Sequence, residues 1–167
     1  MVRTVKSGLY KGVAMKMLET KIPPPLIAIV IGMAMWLLAR TYVAPDAGIS
    51  LRQVAAILVA LSGLMCDLLG AVSFRKAKTT VNPMAPEKSS ALVSTGIYQY
   101  SRNPMYLGMA LLLLAWAIYL AFSWSFLGVF VFMLYITRFQ IIPEERAMEK
   151  RFGQEYLAYK AKVRRWL

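Results

Sequence analysis

Gly96-Ile97-Tyr98-Gln99-Tyr100-Ser101-Arg102-Asn103-Pro104-Met105-Tyr106-Leu107-Gly108 leads straight into Met109–Ala121, a stretch without a single charge. A polar, tyrosine-rich turn that empties into such a run reads as the mouth of a membrane helix. Pro104 suits the first helical turn, because its missing N–H would have had no partner there. Asn103 is then placed as the cap, its side-chain oxygen accepting from an exposed backbone N–H. Arg102 and Asn103 stand at the threshold of the hydrocarbon. Uncompensated polar groups are costly there, so both are expected to meet something polar. The plainer reading is a helix start with interfacial tyrosines. The stretch alone does not separate the two.

The rest of the chain has the same character. Of its 167 residues 59% are hydrophobic, with a mean hydropathy of +0.53, against about 45–50% apolar in soluble domains. The apolar residues lie in long blocks without amphipathic period, which makes this an all-α, polytopic membrane protein. The net charge of +12 could point to nucleic acid, but the basic residues flank the apolar blocks. Topology and anionic headgroups select that placement. With no basic, aromatic-interleaved patch elsewhere, a lipid bilayer is the expected partner and nucleic acid is not. Histidine is absent and Cys66 is the only cysteine. Disulfides within the chain and a Cys/His zinc site are excluded, no metal is expected, and the commonest general base is missing.

Working outward from the turn, four spans are expected, at 26–43, 51–74, 105–121 and 124–142. Each is near the roughly 20 residues a crossing helix needs. Only Phe122-Ser123 separates the last two, so they form a tight hairpin. Pro23-Pro24-Pro25 sets up the first span, and Pro45-Asp46-Ala47-Gly48 is a turn between the first two. Gly32 and Ala28, with Gly63, Gly70 and Ala71, allow close helix contact. Residues 1–21 are basic and, with the long apolar stretch after them, read as a retained anchor; Leu9, Val13 and Met17 are spaced for a short amphipathic surface helix, and a solvated tail is the equal alternative. Basic residues crowd this segment, the 75–104 connection and the C-terminal 143–167 segment. The positive-inside rule therefore puts both termini in the cytoplasm. The whole chain is expected to form one multi-pass domain, in the inner or plasma membrane of a prokaryote. Its oligomeric state is not readable. Asp67, the one acid inside a span, either hydrates near the bilayer edge or serves a cation or polar substrate group.

At Pro143-Glu144-Glu145-Arg146 the composition changes, and a new helix is expected with its acids favourably placed in the first turn. Met148, Phe152, Tyr156 and Tyr159 follow at helical spacing, with Gly153 as a kink. Lys150, Arg151, Lys160, Lys162 and Arg164 lie opposite. A tight hairpin brings Glu144 and Glu145 beside Arg102 and Asn103. An Arg102–Glu145 ion pair that merely locks the hairpin is one reading of this. Adjacent glutamates point about 100° apart on a helix, so both cannot pair with one arginine, and one is expected to be free for a ligand.

The run from Gly96 to Gly108 resembles the signature of the isoprenylcysteine carboxyl methyltransferase family, itself related to the phospholipid N-methyltransferases. So does Glu144-Glu145 followed by Phe152-Gly153, Tyr156, Tyr159 and Val163-Arg164. The resemblance covers about half the chain, from Thr79 onward. It implies an integral-membrane enzyme using S-adenosyl-L-methionine, with a cytoplasmic cofactor pocket roofed by the C-terminal segment. A lipophilic small molecule or lipid-attached acceptor would arrive laterally from the bilayer. Carried onto this chain, Tyr98, Arg102, Asn103, Tyr106 and Leu107 line the cofactor from below. Glu144 and Glu145 accept from its ammonium or ribose hydroxyls, and Phe152, Tyr156 and Tyr159 enclose the adenine. Arg102, Asn103 and Glu145 are the candidate catalytic residues, and Asp67 and Arg164 the candidate substrate contacts.

The chemistry is consistent with this. Carboxylates and aromatic faces attract a sulfonium and an ammonium, and a guanidinium suits a carboxylate. Asn103 stands where that family most often has histidine and cannot titrate. The acceptor, whether carboxylate, thiol or lipid amine, is therefore either already anionic or loses its proton to Glu144, Glu145, Asp67 or a tyrosine. Two other readings stay open: a non-catalytic binding or transport protein, and a membrane reductase on a related scaffold.

Overall fold

A computed structural model describes residues 19–40, 51–77 and 90–167. The stretch around Leu9, Val13 and Met17, the Pro45–Gly48 turn and residues 78–89 of the polar connection lie outside the described residues. Every regular element among those described is helical. In order they are α1 (Pro24–Ala39), α2 (Leu51–Lys76), a short 3-10 turn at Gly96–Gln99, α3 (Pro104–Leu120), α4 (Ser125–Ile136), α5 (Ile142–Phe152) and α6 (Gln154–Lys162).

Two helices are long and apolar enough to cross a bilayer. One is α2, with 26 residues. The other is the continuous 28-residue helix Ser125–Phe152, which joins α4 to α5. Only 17% and 33% of their most apolar windows are buried, which argues against core helices of a soluble domain. Leu58, Leu61, Leu64 and Leu68 all point outward along α2. The other two apolar helices, α1 and α3, have 16 and 17 residues. At 1.5 Å per residue they reach about 24–26 Å, slightly less than the roughly 30 Å of a typical hydrocarbon core. Length and composition thus support a membrane protein with two crossing helices and two shorter apolar ones packed beside them.

Helix α3 is the centre of the packing. Its Tyr106, Ala110, Leu113, Ala117 and Leu120 share a core with Met35 and Ala39 of α1 and Phe132, Ile136 and Ile141 of the long helix. Against α2 the approach is close enough to require glycine on both sides. A Cβ at Gly63 would stand 2.8 Å from the Gly108 carbonyl oxygen, and one at Gly108 would stand 2.7 Å from that of Gly63. The Trp116 indole N–H donates to the Gly32 carbonyl at 3.0 Å, tying α1 to α3. The α3–α4 turn is as tight as its length suggests. Ala121 closes it in the left-handed region (φ 54°), and the Ser125 N–H donates to the Phe122 carbonyl at 2.8 Å.

The expected fresh helix start at Pro143 is not what forms. The helix from Ser125 runs on through Pro143 to Phe152, widening at Thr137–Ile141 into a π-helical turn. A proline inside a helix donates nothing to the carbonyl four residues back and crowds it. The wide turn makes room. The Phe139 carbonyl, which Pro143 has no N–H to serve, accepts the Thr20 N–H at 3.0 Å, so the segment before α1 supplies a bond there. Glu19 secures that contact through ion pairs to Arg138 and Arg146.

Candidate functional site

The elbow before α3 is built by glycine and held from above by the end of the chain. Gly96 adopts φ +64°, and a Cβ there would press on the Ser73 hydroxyl at 2.9 Å; only glycine takes that bend cheaply. The 3-10 turn that follows buries Tyr98, whose ring meets Phe74 edge-on at 5.4 Å. After α6 the chain is extended. The Arg164 carbonyl accepts the Arg102 N–H at 3.0 Å, and the Arg165 carbonyl accepts the Asn103 side-chain N–H at 2.9 Å. The Tyr159 hydroxyl donates to the Tyr98 carbonyl at 2.7 Å. Trp166 packs against the core. The C-terminal residues are thus a strap across the elbow.

Asn103 is therefore not the side-chain cap expected of it. It occupies the cap position, but with φ −132° and ψ 54° its amide turns away and donates to the strap instead. The Ser101 hydroxyl accepts the Asn103 N–H at 3.1 Å.

Under the strap, Arg102 and the glutamate pair meet. Arg102 Nη2 lies 3.2 Å from Glu145 Oε1, with both side chains 9% exposed. Glu145 is also gripped from the strap, accepting Arg165 Nε at 2.9 Å and Nη2 at 2.8 Å. Glu144 points into the helix bundle. Its Oε1 accepts the Tyr106 hydroxyl at 2.6 Å and Gln140 Nε2 at 2.7 Å. Neither carboxylate is free of protein partners, contrary to the expectation that one would be. The unpaired groups are on the arginine. Arg102 Nε and Nη1 are buried with no hydrogen-bond partner among the described residues. A buried polar donor left unmade costs about 1–3 kcal/mol, so this guanidinium is poised for an acceptor that the described residues do not provide.

The aromatic groups are held neutral. Burial first, then the Glu145 carboxylate, pushes the Tyr156 phenol from 10.0 to about 12, although Arg102 pulls the other way. Burial likewise raises Tyr98 and Tyr159 far above the ordinary phenol range. None of these three can serve as a base near neutral pH. Tyr156 and Tyr159 pack edge to face at 6.2 Å. Phe152 is partly buried, with the Arg151 guanidinium 5.8 Å over its ring. Leu107 is half-buried one turn into α3, its N–H donating to the Asn103 carbonyl.

Arg164, singled out from the sequence, is exposed and contributes only its carbonyl; Arg165 beside it carries the side chain that enters the cluster. Gln140 was also missed. Its place four residues before Glu144 puts the two on one helical face, a signal that was there to read. Asp67 stands apart from the cluster on α2. Its Oδ1 is buried without a hydrogen-bond partner among the described residues, against Gly108, where any Cβ would collide with it.

The pattern of the phospholipid methyltransferase family matches residues 51–155, from the start of α2 into α6. The chain belongs to the phospholipid methyltransferase family. This family embraces the isoprenylcysteine and phospholipid enzymes, so the resemblance carried by the elbow and the glutamate pair holds at that level, and methyltransferase activity in general follows from it. An uncharacterised protein of Haemophilus influenzae is 54% identical over 63 residues, which is 38% of this chain and all of that protein. No solved structure matches the chain. Within a family of membrane methyltransferases, the buried arginine and two glutamates under the C-terminal strap are the candidate active site.

Proposed function

We propose that this cluster binds S-adenosyl-L-methionine and that the protein transfers its methyl group to a lipophilic or amphipathic acceptor reaching the site from the bilayer. The observation that carries the proposal is the buried Arg102 guanidinium, whose Nε and Nη1 have no partner among the described residues. Such a group fits an aminoacyl carboxylate. Glu145 lies against it and suits the ammonium of the same aminoacyl group, exchanging that contact for the partly exposed Arg165. Glu144, fixed by Tyr106 and Gln140, accepts a ribose hydroxyl. Tyr156 and Tyr159 provide aromatic faces for the adenine and the positive sulfur.

S-adenosylmethionine supplies a methyl group on a sulfonium, an electrophile that needs no further activation. What the protein adds is position and dryness. The strap closes the elbow against water, and the neutral tyrosines keep their protons, so orientation and desolvation supply most of the acceleration. On this reading the four apolar helices are four spans with both termini cytoplasmic, the strap lies at the inner leaflet, and the acceptor comes in laterally from the bilayer.

The test is transfer of labelled methyl from the cofactor to a panel of prenylated thiols and their carboxylates, phospholipids and small thiols. Incorporation into at least one acceptor is expected, falling on the order of a hundredfold in Arg102→Ala. No incorporation into any of them, with no cofactor binding, would leave a non-catalytic membrane protein.

A further inference from the structure

A groove of about 730 Å³ runs between α1 and α3, with one residue of α2 at its floor. Ala28, Gly32, Trp36, Met109, Leu112 and Trp116 form its apolar walls, and the floor residue is Asp67. Trp116 has already spent its N–H on the Gly32 carbonyl. Among the described residues Asp67 is the only charged side chain lining the groove. Its Oδ1 is buried without a hydrogen-bond partner among the described residues, held against Gly108 where no side chain could fit.

We propose that this groove seats the methyl acceptor and that Asp67 holds the acceptor's cationic, proton-donating head while the walls hold its tail. A carboxylate in apolar surroundings is costly unless a donor or cation meets it. It accepts hydrogen bonds and repels anions, so an anionic head is disfavoured and a head without donors gains nothing. An ammonium on an apolar tail satisfies both floor and walls. Gly108, which Asp67 touches, lies about 3 Å along the α3 axis from Tyr106, the residue bonded to Glu144, and about 200° around it, so the groove and the cluster meet α3 at the same depth on different faces. Calling the occupant an acceptor rests on the methyltransferase reading; its binding does not.

The experiment uses the full chain in neutral detergent without S-adenosylmethionine. Calorimetry compares three amphiphiles sharing one tail: oleylamine, oleyl alcohol and oleate. The amine is expected to bind about tenfold or more tighter than the alcohol, with oleate weakest. Asp67→Asn should bring the amine to the level of the alcohol. Gly32→Phe, which fills the groove from its α1 wall, should weaken all three. A separate titration of Asp67→Asn with S-adenosylmethionine should match the wild type and so confirm the fold. Equal binding of amine and alcohol by the wild type, or an amine preference that survives Asp67→Asn, overturns the proposal. Amine preference without cofactor binding would sustain the groove while removing the methyltransferase reading. Cofactor binding without amine preference would do the reverse.

Discussion

Arg102 is the residue on which the site turns, because it is charged, buried and only partly paired. One of its nitrogens meets Glu145, and the other two have no hydrogen-bond partner among the described residues. Its pairing was legible in the sequence: a short hairpin makes the start of α3 and the end of the long helix neighbours, and opposite charges at those points must meet. Arg165 was not legible, since which residue of an extended tail turns inward is decided by tertiary contact. Asn103 shows the same limit. Its cap position followed from Pro104, but the strap competed for its amide and won. Tyr156 gives a prediction at this scale. Its phenol titrates near 10 when unfolded and near 12 when folded. The folded state then holds a proton the unfolded state has lost, so stability is fully present below about pH 10 and declines from there to about pH 12. The thermal midpoint in detergent should fall across that window, and Tyr156→Phe should flatten part of the fall. An unchanged slope in the variant would remove Tyr156 from the packed strap.

At the scale of elements, the helices were readable and their junctions were not. Apolar runs bounded by prolines and charges mark α1 to α4 closely, because length and hydropathy dominate there. Pro143 looked like a beginning because proline favours first turns. It lies instead within a continuous helix, because a widened turn and a distant N–H, that of Thr20, absorb its cost. Nothing local encodes a partner so far away along the chain. This gives a direct test. Pro143→Ala restores an N–H that competes for the Phe139 carbonyl. Hydrogen exchange at the Thr20 amide should quicken in the variant, by roughly fivefold if one hydrogen bond of about 1 kcal/mol is lost. Unchanged exchange would mean that Thr20 is held by the Glu19 ion pairs alone.

For the whole molecule, the blocks of apolar sequence and their basic flanks made a membrane protein evident, and the family pattern over residues 51–155 agrees. Two helices are long and apolar enough to cross a membrane, and four spans is the topology of the proposed function. Single-cysteine labelling on a Cys66→Ser background reads it. Ser123→Cys should react with an impermeant reagent from outside cells, and Leu167→Cys only after the membrane is opened. Reaction of both from the same side would rule out the four-span arrangement and the inner-leaflet site with it. The measurement that bears most directly on the account is calorimetric titration of the purified chain with S-adenosylmethionine. Saturable binding is predicted for the wild type and for Arg146→Ala, whose arginine pairs with Glu19 away from the cluster, and loss of binding for Arg102→Ala. A silent wild type, or equal binding by the two arginine variants, would contradict it.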